Sequence, residues 1–290
     1  MRLAITGTRG TLGTALMQQG TAAGHTMLPL DRPAHDVVDL EGIRRGVGDA
    51  APDMVIHPAA YTDVDGCERD PALAYAVNGL GTRNVALACA AAGCGLLYIS
   101  TNCVFDGATE QPYVEWDARR PISVYGASKY AGEQYVEHLL TRFQIVRISW
   151  LYGRTGNHFV HKIVKAADSR GALGVVADEI ASPTYAEDLA AALLQLVLRP
   201  TWGWYHLVNE GVASRLDWAA QIMQLTGRSH IPITPMALAD FPRPSRPPPY
   251  SVLANTVGAL DGIRLRPWTA ALADYIQTTP ELLYPDVAAR

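Results

Sequence analysis

The sequence predicts an α/β protein built on a doubly wound parallel sheet, with a smaller C-terminal α/β lobe. Three observations predict it. Short apolar runs near residues 2–6, 26–30, 53–61, 95–100 and 144–148 alternate with helical patterns, the signature of βαβ units. A glycine-rich turn follows the first run at once, and beyond residue 202 the pattern becomes mixed and proline-rich. At 290 residues the chain can bury a large core, in one large domain or two. It is 49% hydrophobic and 18% charged with a formal net charge of -4, which offers no basic stripe for nucleic acid and no polybasic segment for a membrane surface. Met1 leads straight into an apolar run and a glycine turn, so neither a signal peptide nor a membrane span is expected, and the expected location is cytoplasmic. Cys67, Cys89, Cys94 and Cys103 lack metal-ligand pairing and read as ordinary reduced thiols.

Residues 2–6 read as a buried strand, followed by Gly7-Thr8-Arg9-Gly10-Thr11-Leu12-Gly13 and a helical pattern through Leu16 and Met17. Glycines at this spacing permit unusual backbone angles and let the chain approach a pyrophosphate, which then rests on the amides of the helix N-terminus. This is the Rossmann arrangement, although the spacing is G-x-x-G-x-x-G, and a simple tight turn remains the alternative. The second strand, over 26–30, ends in Asp31-Arg32 where an adenosine ribose would lie. A carboxylate there favours a free 2′-hydroxyl and an arginine a 2′-phosphate. With both present and Arg9 nearby, NADPH is favoured and NADH stays open. Residues 53–61 form an apolar strand running into a turn of small residues that admits a flat ring, and 71–93 read as one long alanine-rich helix interrupted by the polar Asn78. A buried asparagine there needs hydrogen-bonding partners.

The next strand ends in Ser100-Thr101-Asn102, and a hydroxyl at the C-terminal end of a central strand can bond a substrate carbonyl. One loop later stands Tyr125-Gly126-Ala127-Ser128-Lys129. Residues four apart on a helix share a face, so the phenol and the ammonium project together, and an ammonium beside a phenol lowers the phenol's pKa. The spacing alone also fits a packed aromatic beside a solvated lysine. After the strand at 144–148, Trp150 is either a stacking ring for a sugar or base or a core residue, and Asn157, at the opening of the next helix, fits a diphosphate or sugar contact. His158 and His161 have no evident third ligand, so no metal site is expected. A helix over 187–198 returns the chain to the first domain, followed by a strand over 204–208 and helices over 215–226 and 269–277. Prolines 242, 244, 247, 248 and 249 exclude a helix and predict an extended loop across the cleft. In that loop Arg243 and Arg246 either grip a diphosphate or are solvated.

With a strand-end hydroxyl, Y-x-x-x-K and an N-terminal G-x-x-G-x-x-G in one chain, the sequence resembles the extended short-chain dehydrogenase/reductases. More narrowly it resembles the dTDP-4-dehydrorhamnose reductase family, through ITGTRGTLG, PAAYTDVDGCE, AYAVNGLGTRNVA, STNCVFDG, YGASKYAGE, RISWLYGRTGNHFV, SPTYAEDLA and RPPPYSVLAN. The resemblance implies a catalytic trio of Thr101, Tyr125 and Lys129, with Tyr125 giving the proton, Lys129 holding the nicotinamide ribose and depressing the phenol's pKa, and Thr101 orienting the carbonyl. It places Gly7, Gly10, Gly13, Asp39, Leu40, Ala59, Ala60, Tyr61 and Asn78 around the cofactor, with Leu12 at the start of the helix beneath it; Arg9, Thr11, Asp31 and Arg32 complete the expected set. It implies a Rossmann domain over 1–150, with 180–205 returning to it, and a substrate lobe over 151–179 and 206–290. The implied reaction reduces the 4-keto group of a dTDP-linked 6-deoxysugar, with dTDP-4-dehydro-L-rhamnose as first choice. A 4-ketoreductase for another deoxysugar of secondary metabolism is the alternative, or a non-catalytic regulatory subunit that keeps the fold. A homodimer is compatible with it. Two departures stand out: Asn102-Cys103 where relatives commonly have Asp-Tyr facing the sugar, and Ala254 where an aspartate is usual. The first bears on sugar specificity and leaves the trio intact; the second bears on the C-terminal contacts.

Overall fold

The structure, a computed structural model, describes residues 1–156 and 158–283. Six parallel strands form the central sheet: β1 Arg2–Thr6, β2 Thr26–Leu30, β3 Met54–His57, β4 Gly95–Thr101, β5 Phe143–Ile148 and β6 Gly203–His206. Their order is β6-β5-β4-β3-β1-β2, so the chain reverses direction across the sheet at β1. Alternate residues of each strand feed opposite faces. Leu3, Ile5, Ile56, Leu97 and Ile99 pack with Leu12, Leu16, Leu189 and Leu193 from the helices Thr11–Ala22 and Ala186–Leu196. Ala4, Val55, Leu96 and Tyr98 pack with Ile43, Val47, Val85, Cys89 and Val136 from Leu40–Ala50, Thr82–Ala92 and Val124–Leu139. Every residue of β3 and β4 is buried, which explains why they read as unbroken apolar runs.

The helical stretch at 71–93 is less regular than its composition suggests. Asp70 caps Pro71–Ala74 by accepting from the Leu73 amide, Tyr75–Gly81 is a π-helix, and only Thr82–Ala92 is α-helical. Asn78 lies inside the π segment, and its carbonyl accepts from the Thr82 hydroxyl at 2.7 Å. Such wide turns in helices recur at functional sites.

A second core gathers Tyr152, Val160, Tyr185, Trp218, Trp268 and Tyr275. Around it lie two-stranded pairs: Leu151–Tyr152 with Thr184–Tyr185, Leu173–Val176 with Ile233–Met236, and Ile180–Ala181 with Ala213–Ser214. The proline-rich stretch therefore begins with a strand and a 3-10 turn, Leu238–Asp240, before its extended part. Leu207, Ile263 and Leu265, from the C-terminal part of the chain, pack in the sheet's core.

Candidate active site

The site lies outside the carboxyl ends of the strands, where the strand order reverses, the place an open α/β sheet offers a ligand. β1 ends at Thr6, and Gly7 turns the chain with φ +66°. Gly10 donates back to the Gly7 carbonyl at 3.1 Å. A β-carbon on Gly13 would fall 2.2 Å from the Gly7 carbonyl oxygen, so only glycine lets this helix start so close beneath the turn. A cleft of about 970 Å³ runs from this loop to the proline-rich segment.

Tyr125 and Lys129 stand one turn apart on Val124–Leu139, whose N-cap Ser123 accepts from the Gly126 amide at 3.1 Å. The Thr101 hydroxyl accepts from the Cys103 amide and donates to Asn102 Oδ1, both at 3.1 Å, and it lowers the Tyr125 phenol's pKa from across the cleft. Lys129 is 2% exposed; its ammonium donates to the Ile99 carbonyl at 2.7 Å and lies 4.2 Å from the centre of the Tyr98 ring. One turn further, Glu133 accepts from Ser100 at 2.6 Å and from Arg147 through two bonds of 2.9 Å. Ile99 and Ser100 are thus tied in turn to Lys129 and Glu133. The helix and the strand end hold one register.

The expected lowering of the phenol's pKa is not what this arrangement produces. Burial pushes the Tyr125 phenol above its ordinary value, Cys103 adds to the rise, and the Thr101 hydroxyl only partly opposes it. Burial also lowers the Lys129 ammonium to about 7, with Glu133 opposing. Burial is the leading cause for both groups, and Lys129 is not among the charges that act on the phenol.

Of the expected residues, Gly7, Arg9, Gly10, Thr11, Leu12, Gly13, Asp31, Arg32, Ala59, Ala60, Tyr61, Thr101, Asn102, Cys103, Tyr125, Lys129, Trp150 and Arg243 all line this cleft. Four do not. Asp39 caps the helix Leu40–Ala50, and with Leu40 it falls outside the wall that His35, Asp36 and Val37 form instead. Asn78 is fully buried beneath the wall, bonding the Tyr61 amide (2.8 Å), the Tyr61 carbonyl (3.1 Å) and Ser128 (3.0 Å), so it shapes the wall without facing the cleft. Arg246 is exposed outside the cleft, because its neighbours Ser245, Pro247 and Pro248 take the buried positions. Asn157 lies outside the described residues. Asp31 is turned to the glycine loop, accepting from the Thr8 amide at 2.9 Å and from its hydroxyl, while Arg9 and Arg32 stay exposed. Asn102 is held by the Ser251 hydroxyl at 2.6 Å. The Cys103 thiol is pushed up to about 11 by burial. Trp150 stacks on Trp218 with centroids 5.5 Å apart.

Sequence reasoning did not single out Glu179, Arg215, Trp218 or Ser251, all of which line the cleft. The Ser214–Asp217 capping box was the available signal that a helix begins at Arg215. His158 bonds His161 and the Gly153 carbonyl, and among the described residues no three His, Cys, Asp or Glu side chains gather as a metal site. No helix among them is long and apolar enough to cross a membrane.

A switch-point glycine turn, a strand-end threonine and a Tyr-Lys helix on a parallel sheet define the architecture of the extended short-chain dehydrogenase/reductases. The family model described as the RmlD substrate binding domain matches residues 1–280, and the chain belongs to that family. It is 41% identical over 282 residues to a dTDP-4-dehydrorhamnose reductase of Mycolicibacterium smegmatis, covering 95% of this chain and 85% of the relative. Among solved structures it is similar to a dTDP-4-dehydrorhamnose reductase of Clostridium acetobutylicum, with a TM-score of 0.93, 35% identity, and 96% and 99% of the two chains covered. The dTDP-4-dehydrorhamnose reductase of Bacillus anthracis, solved in complex with NADP, gives a TM-score of 0.92 at 36% identity over 96% and 99%.

Proposed function

We propose that this chain is an NADPH-dependent reductase of the 4-keto group of a dTDP-linked 6-deoxysugar, dTDP-4-dehydro-L-rhamnose being its substrate. The observation that carries the reading is the placement of Thr101, Tyr125 and Lys129 on one cleft that begins at the glycine loop. The cleft fits a dinucleotide: a β-carbon at Gly13 would occupy the turn, and Ala59 and Ala60 leave a thin wall. Gly7, Gly10, Leu12 and Gly13 would hold the diphosphate, and Lys129 the nicotinamide ribose. Exposed Arg9 and Arg32, with Asp31 turned away towards Thr8, favour a 2′-phosphate, in keeping with the NADP bound by the Bacillus anthracis relative.

When bound, the dinucleotide supplies the hydride. The chain's own residues handle the proton and the geometry. A phenol whose pKa is raised by burial stays protonated at neutral pH, which suits the proton donor to a developing alkoxide. Thr101, fixed by the Cys103 amide and by Asn102 Oδ1 at 3.1 Å each, would orient the carbonyl oxygen toward Tyr125 once its hydroxyl turns from Asn102 to the substrate. Lys129, pinned to the Ile99 carbonyl, is held one helical turn from Tyr125 to meet the nicotinamide ribose. Trp150, Arg243, Asn102 and Cys103 would contact the substrate, with the lobe around Trp218 closing the sugar's side. The testing experiment offers the purified protein dTDP-4-keto-6-deoxyglucose, with and without a 3,5-epimerase, and follows NADPH and NADH absorbance. Oxidation of NADPH that requires the epimerase supports the reading. Oxidation without it indicates a different deoxysugar product, and silence in both overturns the assignment.

A further inference from the structure

Arg215 was not among the residues that motif reasoning assigns, yet it is the most firmly held cation at the sugar end of the cleft. The antiparallel pair Ile180–Ala181 and Ala213–Ser214 brings it beside Glu179: the Arg215 amide donates to the Glu179 carbonyl at 3.1 Å. Its Nε and one Nη donate to the Glu179 carboxylate at 3.2 and 2.8 Å. Glu179 is buried, so its charge is committed to this partner. The guanidinium lies 3.7 Å from the centre of the Trp150 ring, which itself stacks on Trp218 at an interplanar angle of 7°. Trp150 holds a positive φ of 43°, a conformation costly for a bulky residue and kept where the surroundings over-determine it. A strained tryptophan, a second tryptophan and a buried carboxylate thus converge to fix one guanidinium.

A guanidinium carries five N–H donors in a planar fork, and the carboxylate engages Nε and one Nη. The other Nη is left for a ligand in the cleft that Arg215 lines. Of the four arginines along the cleft, Arg9 and Arg32 belong to the glycine-loop end, leaving Arg215 and Arg243 for the other. Arg243 is held more simply, by Nε to Asp65 at 3.1 Å. Both guanidiniums line the same cleft as Cys103 and Tyr125. An anionic group linked to the sugar is the chemistry such a pair of pre-held forks matches.

We propose that Arg215, clamped by Glu179 and laid on Trp150, binds the diphosphate of the nucleotide sugar and sets the enzyme's preference for a diphosphate-bearing substrate. The inference rests on the nucleotide-sugar reading above. Isothermal titration with dTDP, thymidine and NADPH separates the two. Arg215→Met is expected to weaken dTDP at least tenfold while thymidine and NADPH stay within twofold; Arg215→Lys, which keeps the charge and loses the fork, falls between. Unchanged dTDP affinity in Arg215→Met, or an equal loss for thymidine, overturns the assignment. Wild-type protein that binds NADPH but no dTDP overturns the nucleotide-sugar reading itself. If Arg215→Met no longer binds NADPH, which would report misfolding around an unpaired Glu179, Arg215→Lys decides: a loss of threefold or more supports the assignment, and equal affinity contradicts it.

Discussion

The Lys129 ammonium donates to the Ile99 carbonyl at 2.7 Å, so the lysine is anchored to the strand that carries Thr101 as well as to the helix that carries Tyr125. This anchorage costs solvation. Burial lowers the ammonium to about 7, whereas an unfolded lysine holds its proton to about 10.4. Between those values the unfolded chain binds the extra proton, so this group's contribution to stability rises with pH there and its full penalty applies below pH 7. Urea unfolding of wild type and Lys129→Met at pH 7 and pH 9 is expected to show wild type gaining about 2 kcal/mol relative to the variant at the higher pH. Parallel pH dependences in the two proteins would contradict the assignment.

His57 is a second buried titrating group, bonded to Thr6 at 2.7 Å and Thr82 at 3.2 Å beneath the cleft. Burial, helped by Lys129, lowers it to about 3, and burial lowers His206 similarly. Both fold neutral. The stability they contribute is complete above about pH 6.5 and is lost as pH falls towards 3, because the unfolded chain takes up the protons first. Denaturant midpoints should fall between pH 6.5 and 5, before ordinary carboxylates titrate. His57→Gln should flatten part of that fall, and an unchanged slope would exclude His57 as its source.

Asn78 holds the cleft wall at Tyr61 by three bonds, two of them to the Tyr61 backbone. Asn78→Ala leaves the Tyr61 amide unpaired and its carbonyl only the Cys67 thiol, and is expected to cost about 1–3 kcal/mol. Weaker NADPH binding at an unaltered Tyr125 should accompany it. A stable variant with normal NADPH affinity would show that the wall needs no such support.

Arg9 and Arg32 are expected to set cofactor choice. Replacing both by alanine should lower the ratio of kcat/KM for NADPH over NADH by tenfold or more, with little change for NADH. Equal losses with both cofactors would place the arginines outside the ribose site.

Local chemistry explains what was readable. The strand at Arg2–Thr6, its glycine turn and the Tyr125–Lys129 helix depend on contacts within a few residues, and their spacing alone brings the groups together. Trp150, Asn102 and Cys103 were legible because they adjoin strand ends that must face the crevice. What could not be read depends on distant pairing. Arg215 meets Glu179 only because Ser214 pairs with Ile180 across the lobe. Arg243 faces the cleft while Arg246 faces solvent, a choice made by how Ser245 docks on Asp65. Asn78 is polar and helical in sequence, and only packing against Tyr61 and Ser128 turns it from lining residue to support. The phenol's raised pKa was equally hidden, since spacing reports the neighbouring charge and not the depth of burial.

The central claim is that Tyr125, with Thr101 orienting the carbonyl, gives the proton that completes ketone reduction. It is tested most directly by steady-state turnover of dTDP-4-dehydro-L-rhamnose with Tyr125→Phe, NADPH affinity being measured on the same preparation. The account predicts a loss in kcat of about 10²–10⁴-fold with NADPH binding retained. A Tyr125→Phe protein that binds NADPH and keeps most of its turnover would contradict it.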